Sequence, residues 1–155
     1  MLYINQEGKR AMSRQILKKE RIITDRLTLG SYRKEDRDRL AEMMRNPEIT
    51  ATFMVPDYSE EVQFYALADK LIEFSQINDT THLEYGVYLD GYMIGFVNDC
   101  GYDDEAIELG YVIDPAFKGR GFATEEVNAV INELHEMGFK KVVAGFLKEI
   151  SAAEK

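Results

Sequence analysis

The chain has 155 residues, of which 45% are hydrophobic and 30% charged, and its formal charge is -9. That length suits one domain with a core large enough to stand without disulfide or metal, and the composition excludes collagen, low-complexity disorder and a disulfide scaffold. The acidic balance argues against a nucleic-acid partner, no apolar run reaches the roughly 20 residues that span a bilayer, and the lone Cys100 allows no internal disulfide, which fits a cytoplasmic location.

Residues 1–21 hold six basic side chains against Glu7 and Glu20, a local +4 that leaves -13 for the rest. They are expected to form a basic arm or an irregular leading helix, with 22–155 as a single domain. An acidic body favours cationic substrates, although it serves solubility equally well. Ile22–Leu29 alternates like a strand. Leu40, Met43 and Met44 give 34–45 helical spacing, which Asn46-Pro47 ends. Ser59 suits the N-cap of a longer helix reaching about Gln76. Asp90-Gly91 between Glu84–Leu89 and Tyr92–Asn98 is a strong hairpin signal, because a type I′ turn needs positive φ at both central residues. Ala106–Ile113 alternates again, with Ile107, Leu109, Tyr111 and Ile113 on one face and Glu108, Gly110 and Val112 on the other. Asp114-Pro115 stops that strand. A helix over 123–137 carries Val127, Val130, Ile131 and Leu134 as its buried stripe, closed by Gly138. Lys141–Phe146 reads as a short buried strand. The pattern is α+β with a mixed, mostly antiparallel sheet.

The informative stretch is Lys118-Gly119-Arg120-Gly121-Phe122-Ala123-Thr124, a Gly-rich turn between a strand and a helix. Glycines allow close backbone approach, the first-turn amides have no acceptor inside the helix, and the helix dipole adds partial positive charge. With Lys118 and Arg120 beside it, the turn suits a pyrophosphate. It matches neither the phosphate-loop pattern nor the three-glycine dinucleotide fingerprint. A tight turn using Gly only for positive φ is the bland alternative.

This stretch resembles motif A of the GNAT acetyltransferase superfamily, with Lys118 in place of the usual Gln or Arg, and Thr124-Glu125-Glu126 resembles the helix start of its Rim-like, ribosomal-protein N-acetyltransferase branch. Thr24–Leu29, Leu89–Gly95 and Glu108–Tyr111 are similar to that branch's opening strand, central hairpin and fourth strand. The resemblance implies a V-splayed sheet flanked by helices and, as cosubstrate, acetyl-CoA. Its pantetheine would lie against the backbone of Tyr111, Val112 and Ile113, and its pyrophosphate would sit on Lys118 and the amides of Gly119, Arg120, Gly121, Phe122, Ala123 and Thr124. The reaction would be direct transfer of acetyl to a primary amine, a protein N-terminus or a small amine.

Such transfer needs a base to free the amine lone pair. Glu108 is the first candidate, on the fourth strand at a position where related enzymes carry a carboxylate; a β-bulge in that strand would change its facing. Glu105 is the second candidate. Cys100 reads as an inert thiol, His82 and His135 as structural, and Tyr85, Tyr88, Tyr92, Tyr102 and Tyr111 as sheet packing. No metal-ligand spacing occurs. Lys148–Lys155 resembles the start of the family's next helix, with Ile150 where Asn and Ala153 where Ser are expected. The resemblance therefore implies a sheet lacking its last two strands, with an edge open to homodimerisation. It also leaves a second reading, a catalytically weak acyl-CoA-binding or regulatory module, and a third, an unrelated α+β interaction protein.

Overall fold

The computed structural model describes residues 2–4, 10–12, 14–51, 53 and 55–144. β1 (Leu2–Ile4) and β2 (Arg10–Met12) pair antiparallel where the sequence suggested an arm or an irregular helix. Residues 14–20 then run along the body. Ile16 is fully buried in the core, Lys18 Nζ donates to Phe74 O at 2.8 Å, and the Arg14 guanidinium stacks 4.0 Å from the Phe139 ring.

The alternating stretch Ile22–Leu29 is not one strand. It divides into β3 (Arg21–Ile23) and β4 (Thr28–Gly30), an antiparallel pair. The turn is closed by Thr24, whose N–H donates to Leu27 O at 2.9 Å and whose Oγ1 accepts from Leu27 N–H at 3.0 Å. A side chain that satisfies nearby backbone offers the chain an alternative to the ladder, which the alternation of apolar residues does not reveal.

A 3₁₀ turn at Lys34–Asp36 leads into α1 (Arg37–Arg45). Asn46 both ends α1 and caps α2 (Pro47–Thr50), accepting from Glu48 N–H at 2.9 Å, with Pro47 at the first helical position. α3 (Glu61–Phe74) starts later than the Ser59 cap predicted. Gln63 Oε1 accepts from both Ser59 and Glu60 amides, so Glu60 becomes the cap of a capping box.

The next strands follow the sequence pattern closely. β5 (Glu84–Leu89) and β6 (Tyr92–Tyr102) flank Asp90 and Gly91, at φ 50° and 83°, as a type I′ turn requires. β7 (Ala106–Ile113) pairs antiparallel with β6. α4 (Phe122–Glu136) crosses to β8 (Lys141–Ala144), which lies parallel to β7. Sheet order is β3-β4-β5-β6-β7-β8, the order of the chain. β8 was expected to be buried, but its residues alternate between exposed and half-buried because, among the described residues, it is an edge strand. Gly145 and Phe146, expected to extend it, and the helix start expected at Lys148–Lys155 lie outside the described residues.

Each face of the sheet carries its own core. On one face, α4 packs Phe122, Val130 and Leu134 against Leu29, Val87, Val97, Leu109 and Ile16. On the other, α1 and α3 pack Leu40, Met44, Ala68 and Leu71 against Tyr88, Phe96 and Val112. β6 carries two register shifts. One falls near Ile94 and one at Cys100, where Asp99 faces Leu109 and Gly101 faces Glu108. The irregularity therefore sits in β6, and β7 keeps an unbroken alternation.

Candidate active site

Asp114 fixes the end of β7. Its N–H donates to Ile94 O at 2.7 Å, its Oδ1 accepts from Ala116 N–H at 2.9 Å, and its Oδ2 pairs with Arg39 Nη2 at 2.6 Å. From there, Pro115–Phe117 forms a 3₁₀ turn, and the chain reaches Gly119 and Gly121 at φ 82° and 80°. Those are left-handed conformations that cost an L-residue roughly 1–2 kcal/mol, so the glycines are needed by the backbone itself. Gly121 is the N-cap of α4 and contributes no side-chain cap. The first amide with an acceptor in the helix ladder is that of Glu125, to Gly121 O at 3.1 Å. The amides of Phe122 and Ala123 precede that first rung of the ladder. The Arg120 guanidinium lies 5.5 Å from the Phe117 ring, and among the described residues neither Lys118 nor Arg120 has an acidic partner. The turn thus brings Lys118 and Arg120 beside the N-terminal end of α4.

The turn is held from outside by a residue that the sequence showed only as part of a strand. Arg26 Nη1 donates to Arg120 O at 2.8 Å, its Nε donates to Glu125 Oε1 at 2.7 Å, and its backbone N–H donates to Glu125 Oε2 at 2.9 Å. Thr24 Oγ1 donates to the same Glu125 carboxylate at 2.5 Å. Burial works to raise the Glu125 carboxyl, but these bonds from Thr24 and Arg26 hold it below the usual carboxylate range. The Arg26 guanidinium also stacks on Phe122, 4.3 Å from the ring centre.

Glu108 lies toward the other end of β7. It is exposed and shares a face with Gly110 and Val112, as its parity predicts. Five strand steps separate it from Ile113, on the order of 16 Å. An open groove of about 330 Å³ lies beside it, lined in part by Gly101, Tyr102, Glu108, Lys141 and Val143. Tyr111 is half-buried, while Val112 and Ile113 are buried. Pairing with β8 covers Ala106–Leu109 among the described residues, so Gly110–Ile113 extend past it toward the turn.

A polar row runs inward from Glu108. Glu84, Asn98 and Gly110 are register partners across β5, β6 and β7. The space a Gly110 side chain would fill is taken by Asn98 Oδ1, Phe53 and Cys100 Sγ, each about 3 Å from the position of a Cβ. Burial pushes the Glu84 carboxyl well above its usual range even though Tyr32 donates to it at 2.5 Å. Cys100 has exposed surface, yet desolvation of its sulfur, with Glu108, Asp99 and Glu84 nearby, pushes the thiol up to about 11. A thiol so raised is a poor nucleophile at neutral pH.

His82 stacks on Phe74 at 3.9 Å, and His135 Nδ1 lies 3.0 Å from Phe139 O, so both serve structure. Glu105 sits in the turn at the far edge, with Lys140 3.5 Å away. Among the described residues no cluster of His, Cys, Asp or Glu can hold a metal, and no helix is long and apolar enough to cross a membrane.

The sheet is a mostly antiparallel meander followed by a parallel strand reached through one helix, with a glycine-rich turn at that helix's start. The family model of the acetyltransferase (GNAT) domain matches residues 26–153, and the chain belongs to that family. Its fold is similar to that of an acetyltransferase from Bacillus anthracis (TM-score 0.62, 17% identity, 77% of this chain and 69% of that one). It is also similar to RimL, a ribosomal L7/L12 alpha-N-protein acetyltransferase solved with coenzyme A (0.64, 17%, 77% and 70%). A third neighbour is the spermidine N-acetyltransferase from Vibrio cholerae, solved with CoA and spermine (0.59, 20%, 75% and 68%). No curated protein matches the sequence significantly.

Proposed function

We propose that this protein transfers an acetyl group from acetyl-CoA to a primary amine, a protein N-terminus or a small amine. One observation carries the reading: a single strand, β7, leads at one end into the glycine-rich turn with Lys118 and Arg120 and carries the exposed carboxylate of Glu108 near its other end. The residues present fit the cosubstrate. Lys118 and the amides of Gly119, Arg120, Gly121, Phe122, Ala123 and Thr124 take the diphosphate, and the backbone of Tyr111, Val112 and Ile113 lies along the pantetheine. Glu108 accepts a proton from the acceptor amine. The freed nitrogen lone pair forms the bond to the acetyl carbon, the carbon–sulfur bond breaks, and the second proton shed by the nitrogen goes to the departing sulfur, so that CoA leaves as thiol.

The neighbours solved with CoA support this use of the cradle, and the two acceptor types among them span the range left open for this chain. The reading takes the protein to be cytoplasmic and its single acetyltransferase domain to include residues 14–21, which join the body through Ile16 and Arg21. It pairs two copies through the sheet edge where Val143 is 38% exposed.

Thermal shift with CoA and acetyl-CoA tests the cradle, since a ligand of the folded state must raise its apparent stability. Thiol release with a panel of N-terminal peptides, polyamines and simple amines tests the transfer. Absence of any shift sinks the proposal. A shift with no turnover on any amine leaves a binding module instead. Light scattering at high concentration that finds only monomer removes the dimer.

A further inference from the structure

We propose that Arg26, 95 residues before Gly121, is a binding and positioning residue of the diphosphate turn: it holds the turn open through Arg120 and Glu125 and presents its outer nitrogen as a further donor to the bound anion. The proposal rests on the acetyl-CoA reading above and extends it to a segment remote in sequence.

The geometry divides the guanidinium into two functions. Nη1 and Nε face the protein, where they meet Arg120 O and Glu125 Oε1 at 2.8 and 2.7 Å. By bonding its carbonyl, Arg26 fixes the orientation of the peptide unit that joins Arg120 to Gly121, the unit just before the helix. Nη2 lies 3.4 Å from where a Cβ on Gly121 would stand, and among the described residues it has no acceptor. The side chain is 43% exposed, so this nitrogen is open to a ligand. A guanidinium offers five donors in a rigid fork, which lets one residue grip the protein with one edge and a phosphate with the other. Stacking on Phe122 keeps the fork in place without using a donor.

Glu125 completes the arrangement. A bare carboxylate in the first turn of α4 would repel a diphosphate. Here the backbone N–H of Arg26, its Nε and the Thr24 hydroxyl occupy that carboxylate and turn it toward the β3–β4 hairpin. Arg26 therefore neutralises an adverse charge and also anchors the loop.

Calorimetric titration of the full chain with CoA, and with pantetheine followed by NMR chemical shifts, tests this. Arg26→Ala is expected to raise the CoA Kd about tenfold or more, as loss of a charge-assisted bond implies, while leaving pantetheine binding unchanged because that fragment has no diphosphate. Arg26→Lys, which keeps the charge and loses the fork, is expected to bind CoA with an affinity between those of wild type and Arg26→Ala, and it supplies the readout should Arg26→Ala fail to fold. If wild type binds CoA and both variants bind it equally well, the Arg26 assignment is overturned and the acetyltransferase reading stands. If wild type fails to bind CoA, both are overturned. A matched loss for CoA and pantetheine assigns Arg26 to general folding and also overturns the proposal.

Discussion

The Tyr32 hydroxyl donates to Glu84 Oε2 at 2.5 Å inside the face of the sheet that carries Glu108. Burial raises the Glu84 carboxyl well above its ordinary 4.5, so the folded state holds this proton more tightly than the unfolded chain does. The contribution is then fully present below the unfolded value and is lost as pH rises toward the folded one. Glu84→Gln keeps an acceptor for Tyr32 and removes the titration. Urea melts from pH 5 to 8 are expected to show wild-type stability falling more steeply than that of the variant; parallel curves would refute this origin.

Glu126 is the stronger case. It lies on the inward face of α4, between Phe122 and Val130, fully buried, and among the described residues neither carboxylate oxygen has a hydrogen-bond partner. Desolvation alone raises it. Replacement of an unpaired buried polar group by an apolar one of similar volume removes a desolvation cost of about 1–3 kcal/mol. Glu126→Leu is expected to raise the melting temperature at pH 8 and to gain less at pH 5, because a carboxyl raised by burial costs more stability as pH climbs above its unfolded value. Glu126→Gln should gain less than Leu at pH 8. Calorimetry at the two pH values checks both statements.

Gly121 sits at φ 80° as the cap of α4. Gly121→Ala is expected to cost roughly 1–2 kcal/mol of stability from backbone strain alone and to weaken CoA binding mildly. Gly121→Asp adds a negative charge at the cradle and should abolish the CoA-induced thermal shift. Comparison of the two separates strain from electrostatics; equal behaviour would place no anion there.

Glu108→Gln should leave CoA affinity intact and slow turnover by about 10²–10⁴-fold, the range of a general base. Unchanged turnover across pH removes Glu108 from the chemistry.

Cys100→Ser is expected to leave turnover within about twofold of wild type. Its raised thiol rules out easy attack at neutral pH. A burst of acetylated enzyme that disappears in this variant would instead establish a covalent route.

Elements whose signals are local were legible in the sequence. Asp90-Gly91 specified its turn, the β7 alternation placed Glu108, and the paired glycines marked the start of α4. What escaped depends on contacts across long separations. Nothing near Arg26 in the chain reveals that its partners are Arg120 and Glu125, and Glu126 looks like an ordinary surface glutamate until α4 is docked. The split of Ile22–Leu29 was hidden because a three-residue strand on either side of a Thr-closed turn keeps the same apolar alternation. The buried reading of Lys141–Ala144 assumed neighbours on both sides of a strand that has one among the described residues.

The order of strands in the sheet is the order of the chain, with short connections between β3 and β4 and from β5 through β7, and with α1, α2 and α3 inserted between β4 and β5. Such a meander assembles from nearby contacts, the kind that form quickly. The Arg26–Glu125 contacts are different: they join positions 99 residues apart. They act as a clasp that closes only once α4 has docked, so the glycine-rich turn acquires its final shape after the strands that precede it in the chain. A nascent chain halted before Glu125 would carry most of the meander and no finished cradle.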